Sequence, residues 1–224
     1  MRTVLCVGDL HLPFEKDGYL EFCKRIHKTL KCTDVVFIGD LVDNHAISYH
    51  EHDPDGWSPA EEMKESDKRL DKWFKAFPVA MVCRGNHDRL VDRKGKTNGL
   101  PTRCFKDFRD IWNLPSKWKD DFSFIIDGVK YTHGTGYSGN LAHLKAALDN
   151  RMPTVIGHLH SVCGIDYSAN ERDCIFGMSV GCGIDRKAYA FDYGRDFKAK
   201  PILACGIVEY TKYGANPRLF RMDI

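Results

Sequence analysis

Five short stretches of this sequence share one grammar: an apolar run breaks, usually at a glycine, into side chains that bind metal ions through nitrogen or oxygen. They are Gly8-Asp9-Leu10-His11, Gly39-Asp40-Leu41-Val42-Asp43-Asn44, Gly85-Asn86-His87-Asp88, Thr132-His133-Gly134 and Gly157-His158-Leu159-His160. Taken singly, each has an ordinary explanation, such as a helix-capping Asp beside a solvent-facing His. Together they supply carboxylates, an amide oxygen and several imidazoles, with no thiolate among them. That donor set suits Mn²⁺, Fe, Zn²⁺, Ni²⁺ or Co²⁺ and not a structural zinc held by cysteines.

Elements that bring such distant stretches together are legible around them. Residues 4–7 and 34–39 are short apolar runs that end at Gly, as expected of buried strands. Between them, residues 19–30 carry apolar side chains at three-and-four spacing, an amphipathic helix. Strand, helix and strand in succession predict a right-handed crossover and parallel pairing, and ligands of an open α/β sheet collect in the loops beyond the strand ends. Residues 43–60 read as a loop, followed by a helix over about 60–76 behind Ser58 and Pro59 and a third strand over 79–85. The basic, glycine-containing stretch 89–99 reads as a surface loop. Asp127-Gly128 between apolar runs predicts a hairpin over 123–134. A helix over 138–150 and a strand over 153–158 follow, and the last 60 residues read as largely antiparallel strands.

The chain has 224 residues, 43% apolar and 29% charged, which suits one α/β domain spanning residues 1–224 without an inserted linker. Lys and Arg number 33 against 31 Asp and Glu, and the surplus of +2 gives no polybasic nucleic-acid or lipid surface by composition alone. The nine cysteines are dispersed with no C-x-x-C pair, as in a reducing cytoplasmic compartment. No apolar run reaches the roughly 18 residues of a membrane span, and the N-terminus lacks the pattern of a secretory signal.

In the order D-x-H, G-D-x-x-D, G-N-H-D, H and G-H-x-H, running from Asp9 to His160, the chain resembles the calcineurin-like metallophosphoesterase superfamily. The resemblance implies an αββα sandwich of two mixed sheets flanked by helices. It also implies two divalent metal ions, Mn²⁺ first among them. One would be held by Asp9, His11 and His160, the other by Asn86, His133 and His158, with Asp40 bridging. A bridging carboxylate screens the repulsion of two ions about 3.5 to 4 Å apart, which jointly polarise a phosphoryl oxygen and activate water. His87 would protonate the leaving oxygen or hold the phosphoryl group, with Asp88 orienting its ring, while Asp43 orients a ligand.

The long stretch after G-D-x-x-D is similar to phage or bacterial members, some of which resemble nucleoside monophosphatases. The expected substrate is therefore a small phosphate ester, a nucleoside 5'-monophosphate above all, with a phosphodiesterase or nuclease as the rival reading. A protein-phosphatase reading is weakened because Asn44 and His45 stand where those enzymes carry a phosphate-gripping Arg. Candidate substrate contacts are Asn44, His45, Arg89 and the aromatic Tyr137. His50, His52, Arg93, Lys94 and Lys96 rank below them, and Arg84 reads as structural. His27, His143 and the four tryptophans read as packing or surface residues. No cysteine adjoins a His within these motifs, so thiol alkylation that preserves fold and metal content should leave turnover intact; turnover lost with both preserved would contradict this.

Overall fold

The apolar runs become strands because their β-branched and aromatic residues alternate between two buried environments. A computed structural model describes residues 2–49, 55–188 and 198–223. Along the chain it places β1 (Arg2–Val7), α1 (Tyr19–Thr29), β2 (Asp34–Phe37), α2 (Pro59–Ala76), β3 (Ala80–Cys83), α3 (Leu90–Thr97), α4 (Phe108–Ile111) and β4 (Trp118–Asp121). There follow β5 (Ser123–Ile126), β6 (Val129–Thr132), α5 (Ala142–Asn150), β7 (Thr154–Ile156), β8 (Cys163–Ala169), β9 (Cys174–Val180), β10 (Ala204–Thr211) and β11 (Gly214–Arg221).

These strands form two mixed sheets. The first has the order β11-β10-β1-β2-β3-β4, parallel from β1 to β4, with β10 antiparallel to β1 and to β11. The second has the order β5-β6-β7-β9-β8, parallel across β6, β7 and β9 and antiparallel at both edges. The two-residue period of a strand sorts the core. Val4, Cys6, Val36 and Ile38 face Tyr131, Val155, Met178 and Val180 of the second sheet. Leu5, Val7, Val35 and Phe37 face the other way, onto Phe22 and Cys23 of α1 and Leu70 and Trp73 of α2. On the outer face of the second sheet, Ala142 and Ala146 of α5 pack on Ile156. The α/β sandwich of two mixed sheets flanked by helices is thus what the chain adopts.

Local signals account for most boundaries. Ser58 accepts from the Glu61 backbone N–H while the Glu61 carboxylate accepts from the Ser58 N–H, a capping box with Pro59 in the first turn of α2. The hairpin turn has φ 45° at Asp127 and 83° at Gly128, two consecutive left-handed residues as the Asp-Gly pair predicts. One reading is corrected: residues 90–97 are the helix α3 and not a loop. Its Lys and Arg residues are good helix formers, and the buried Leu90 and Gly95 give it a face to pack. The helix read over 138–150 starts at Ala142, and β9 pairs in parallel with β7, whereas the pairs β8–β9, β1–β10 and β10–β11 are antiparallel. Among the described residues no helix is long and apolar enough to cross a membrane.

Leu70 lies at 1% exposure between α2 and the first sheet. Leu70→Ala should lower unfolding free energy by about 2 to 5 kcal/mol, read as a lower urea midpoint at unchanged slope.

Candidate metal centre

Each of the five motifs lies just beyond the C-terminal end of a parallel strand. Asp9 and His11 follow β1, Asp40 and Asp43 follow β2, Asn86 and His87 follow β3, His133 follows β6, and His158 and His160 follow β7. The two sheets therefore deliver their loops to one shared edge. Glycine is required where these loops touch: a Cβ on Gly85 would lie 2.1 Å from Asp40 Oδ1, and one on Gly157 would lie 2.2 Å from Asp9 Oδ1. Left-handed backbone also gathers here, at His11 (φ 49°), Asp40 (45°), Asn44 (54°) and His158 (66°). Such conformations persist where surrounding contacts over-determine them.

The side chains converge on the buried Asp40 carboxylate. Its Oδ1 accepts from the His87 backbone N–H at 2.8 Å, and its Oδ2 lies 3.1 Å from His133 Nε2 and 3.6 Å from His11 Nε2. His133 Nε2 is also 3.0 Å from Asn86 Oδ1, and its Nδ1 is 3.0 Å from the Ile38 carbonyl. On the other side, His160 Nε2 lies 3.1 Å from both Asp9 Oδ2 and His11 Nε2. Three sets of donor atoms lie close enough to share an ion: Asp9, His11 and His160; Asp40, His133 and His158; and His11, Asp40 and His87.

The donor chemistry fits a cation. Asp9 Oδ1 is buried with no hydrogen-bond partner, its near neighbour His133 Nδ1 lying 3.9 Å away, and a carboxylate oxygen so placed is stabilised by a cation. Burial, then the charge of His87, lowers the His11 pKa and keeps its ring neutral. With His11 Nδ1 donating to Asp43, Nε2 turns a lone pair toward His160 and the carboxylates. Burial and His133 likewise lower the pKa of His158. At His133 burial is opposed by Asp40 and Asp9, which raise its pKa to about 9. Asp40 stays well below the usual carboxylate range because His133 and His87 outweigh its burial. Clustered His and Asp residues thus form a site of the divalent-metal type found in hydrolases of this fold.

The remaining sequence candidates fall in different places. Asp88 is buried and does not orient His87: its two oxygens accept the N–H groups of Val42 and Gly85, locking the loops after β2 and β3 together. Asp43 does that work, its carbonyl accepting from His87 Nδ1 at 2.7 Å and its carboxylate lying 3.2 Å from the same atom. Asn44 and His45 were expected to touch substrate, yet both are buried; Asn44 Nδ2 donates to the His87 carbonyl at 3.0 Å. Arg89 stacks on Phe122 at 4.9 Å, beside Arg84 at 4.5 Å. The Tyr137 ring lies along α5 beside Lys145 and Asp149. Arg93 and Lys94 flank Tyr49, and His50 and His52 lie outside the described residues.

His27 packs edge-on against Phe77, and His143 is buried with Nε2 2.7 Å from Asp166. Trp73, Trp112 and Trp118 are core residues. Sequence reasoning missed Glu62, a buried carboxylate whose oxygens each accept at 2.7 Å from the backbone N–H of His45 and Ala46. Its only sequence signal was a polar residue on the apolar side of a helix.

A two-sheet sandwich with an imidazole-carboxylate cluster at the shared C-terminal edge defines a metal-dependent phosphoesterase scaffold. Residues 2–176 match the calcineurin-like phosphoesterase family, and the chain belongs to it. A search among curated proteins finds no match. Solved structures it is similar to include a novel archaeal phosphodiesterase (16% identity, 97% of this chain and 99% of that one, TM-score 0.47). Others are the phosphoesterase Yfce from E. coli (15%, 92% and 88%, 0.46) and vacuolar protein sorting 29 from Cryptosporidium parvum (11%, 100% and 98%, 0.47).

Because His133 holds a proton up to about pH 9 in the metal-free chain, an ion that takes its place must displace that proton. Mn²⁺ affinity should therefore rise as pH rises from 6 toward 9, with proton release at neutral pH. Calorimetry in buffers of different ionisation enthalpy measures both, and a pH-independent affinity without proton release would contradict the role of His133.

Proposed function

We propose that this chain is a dinuclear metal-dependent phosphomonoesterase of small phosphate esters, with a nucleoside 5'-monophosphate as the preferred substrate and Mn²⁺ as the favoured ion. The observation that carries the reading is the sharing of Asp40 between two donor groups, one with His11 and His87 and one with His133 and His158. Asp9, His11 and His160 would hold one ion and Asn86, His133 and His158 the other, with Asp40 shared between them. Such ions would supply Lewis acidity for the phosphoryl group and for an attacking water.

The chain's own residues supply the rest. His87 Nδ1 donates to the Asp43 carbonyl, which leaves Nε2 to carry the proton for the leaving oxygen. Burial opposes that charge, but Asp40 and Asp43 raise the His87 pKa to about 10 in the metal-free chain. Divalent ions held at those carboxylates would offset their charge and lower that value toward the working range of a proton donor. Asn44 and Glu62 hold the loop in place, through the His87 carbonyl and the His45 and Ala46 N–H groups. A phosphodiesterase reading is favoured by one feature: Arg84 and Arg89, stacked on Phe122 beside the Asn86-His87 loop, could grip a non-scissile phosphate.

A panel of nucleoside monophosphates, cyclic nucleotides, phosphopeptides and single-stranded DNA with Mn²⁺ separates these readings. Asp40→Asn should cost more than about tenfold in activity, with loss of bound metal. His87→Ala should retain metal and lose on the order of 10²-fold in kcat on a nucleoside monophosphate. It should lose far less on an activated aryl phosphate, whose leaving oxygen hardly needs a proton. Equal losses on the two substrates would remove the proton-donor role.

A further inference from the structure

The two loops that carry Asp43-Asn44 and Asn86-His87 continue into a second feature of the fold. The first runs into the 3-10 turn His45–Ile47 and the second into α3, and between them lies an open cavity of about 460 Å³. Its walls are largely apolar, from Ile47, Val91, Leu100 and Phe105, with Lys94 and Asn98 as polar members. That volume and lining fall in the range of small-molecule pockets, which run to roughly 300 to 1,000 Å³. Ala46 of the lining is two residues from Asn44, so their Cα atoms are no more than about 7 Å apart. Val91 is four residues from His87, and the Asn44 to His87 hydrogen bond ties the walls at their root.

The cavity is built at a cost to local structure. Gly95 sits inside α3, where glycine costs about 1 kcal/mol against alanine. A Cβ there would lie 2.3 Å from the Phe105 ring, so the missing side chain is what seats that ring against the helix. The Lys94 ammonium lies 4.0 Å from the centre of the exposed Tyr49 ring. Arg93 and Lys96 add positive charge to the same helix. An apolar slot with an aromatic wall and a cationic rim, walled by the continuations of the two loops that carry Asn44 and His87, suits the ring system of an organic phosphate.

The geometry points to this cavity as the subsite for the organic group of the substrate, an aromatic or nucleoside ring whose phosphate lies at the Asp40 cluster. The assignment rests on the phosphoesterase reading and adds the determinant of substrate choice. The ring packs among Val91, Leu100 and Phe105, with Lys94 at the rim.

The test compares 1-naphthyl phosphate with methyl phosphate, in Mn²⁺, for the parent, Val91→Phe and Leu100→Asp. Leu100 is 47% exposed, so its variant keeps the test open where Val91→Phe fails to fold. Both variants should raise KM for 1-naphthyl phosphate about tenfold or more, with kcat and metal content near the parent's, and leave kcat/KM on methyl phosphate within about twofold, as expected when a purely binding contact is lost. Unchanged KM on the aryl ester, or equal losses on both esters, would overturn the subsite. If the parent hydrolyses neither ester, the phosphoesterase reading fails by itself. The cavity is then judged by equilibrium dialysis of 1-naphthyl phosphate: binding lost in Leu100→Asp supports it, and equal or absent binding overturns it.

Discussion

Asp40 holds a negative charge at 1% exposure, and much of the molecule is arranged to make that charge tolerable. A carboxylate taken out of water costs several kcal/mol unless hydrogen bonds and opposite charge replace its hydration. Here one oxygen receives the His87 N–H and the other faces the rings of His133 and His11. Those partners come from three different loops, so the charge can be accommodated only when β1, β2, β3 and β6 are aligned. The same convergence that satisfies Asp40 assembles a donor set for divalent ions.

A second layer of carboxylates holds this arrangement from behind. Asp43 faces both His11 and His87, so one side chain orients a metal-type ligand and the proposed proton donor together. Asp88 bridges the backbone of Val42 and Gly85, and Glu62 reaches from α2 to the turn at His45. Burial raises Asp88 to about 7, with Asp40 adding to the effect, and raises Glu62 to about 7. The backbone N–H groups that both side chains accept pull the other way, toward the carboxylate, and offset part of the cost of burial.

The loops can be this strained because the strands beneath them cannot move. The inter-sheet core, from Val4 and Ile38 to Val155 and Met178, is a contiguous cluster of buried apolar side chains. Close-packed interiors resist deformation, so left-handed residues at His11, Asp40 and His158 are paid for by burial below them. The outer layers differ: α1 and α2 cover one sheet with large aromatics, whereas the small side chains of α5 let it lie close on the other.

Period and punctuation were readable in the chain by themselves. The apolar runs that end at Gly8, Gly39 and Gly85 announced parallel strands with chemistry at their tips, and Asp127-Gly128 announced its hairpin, since both signals are local in sequence. The donor types were legible for the same reason. Which carboxylate serves which ring was not: Asp88 adjoins His87 in sequence, but the turn at Gly85 points it back at the backbone, and Asp43 arrives from another loop. The burial of Asn44 and His45, the helix at Leu90–Thr97 and the part played by Glu62 depend on what packs across them, on Phe105 against Gly95 and on α2 against the turn at His45. Long-range packing decides such contacts, and a single chain read along its length carries no record of it.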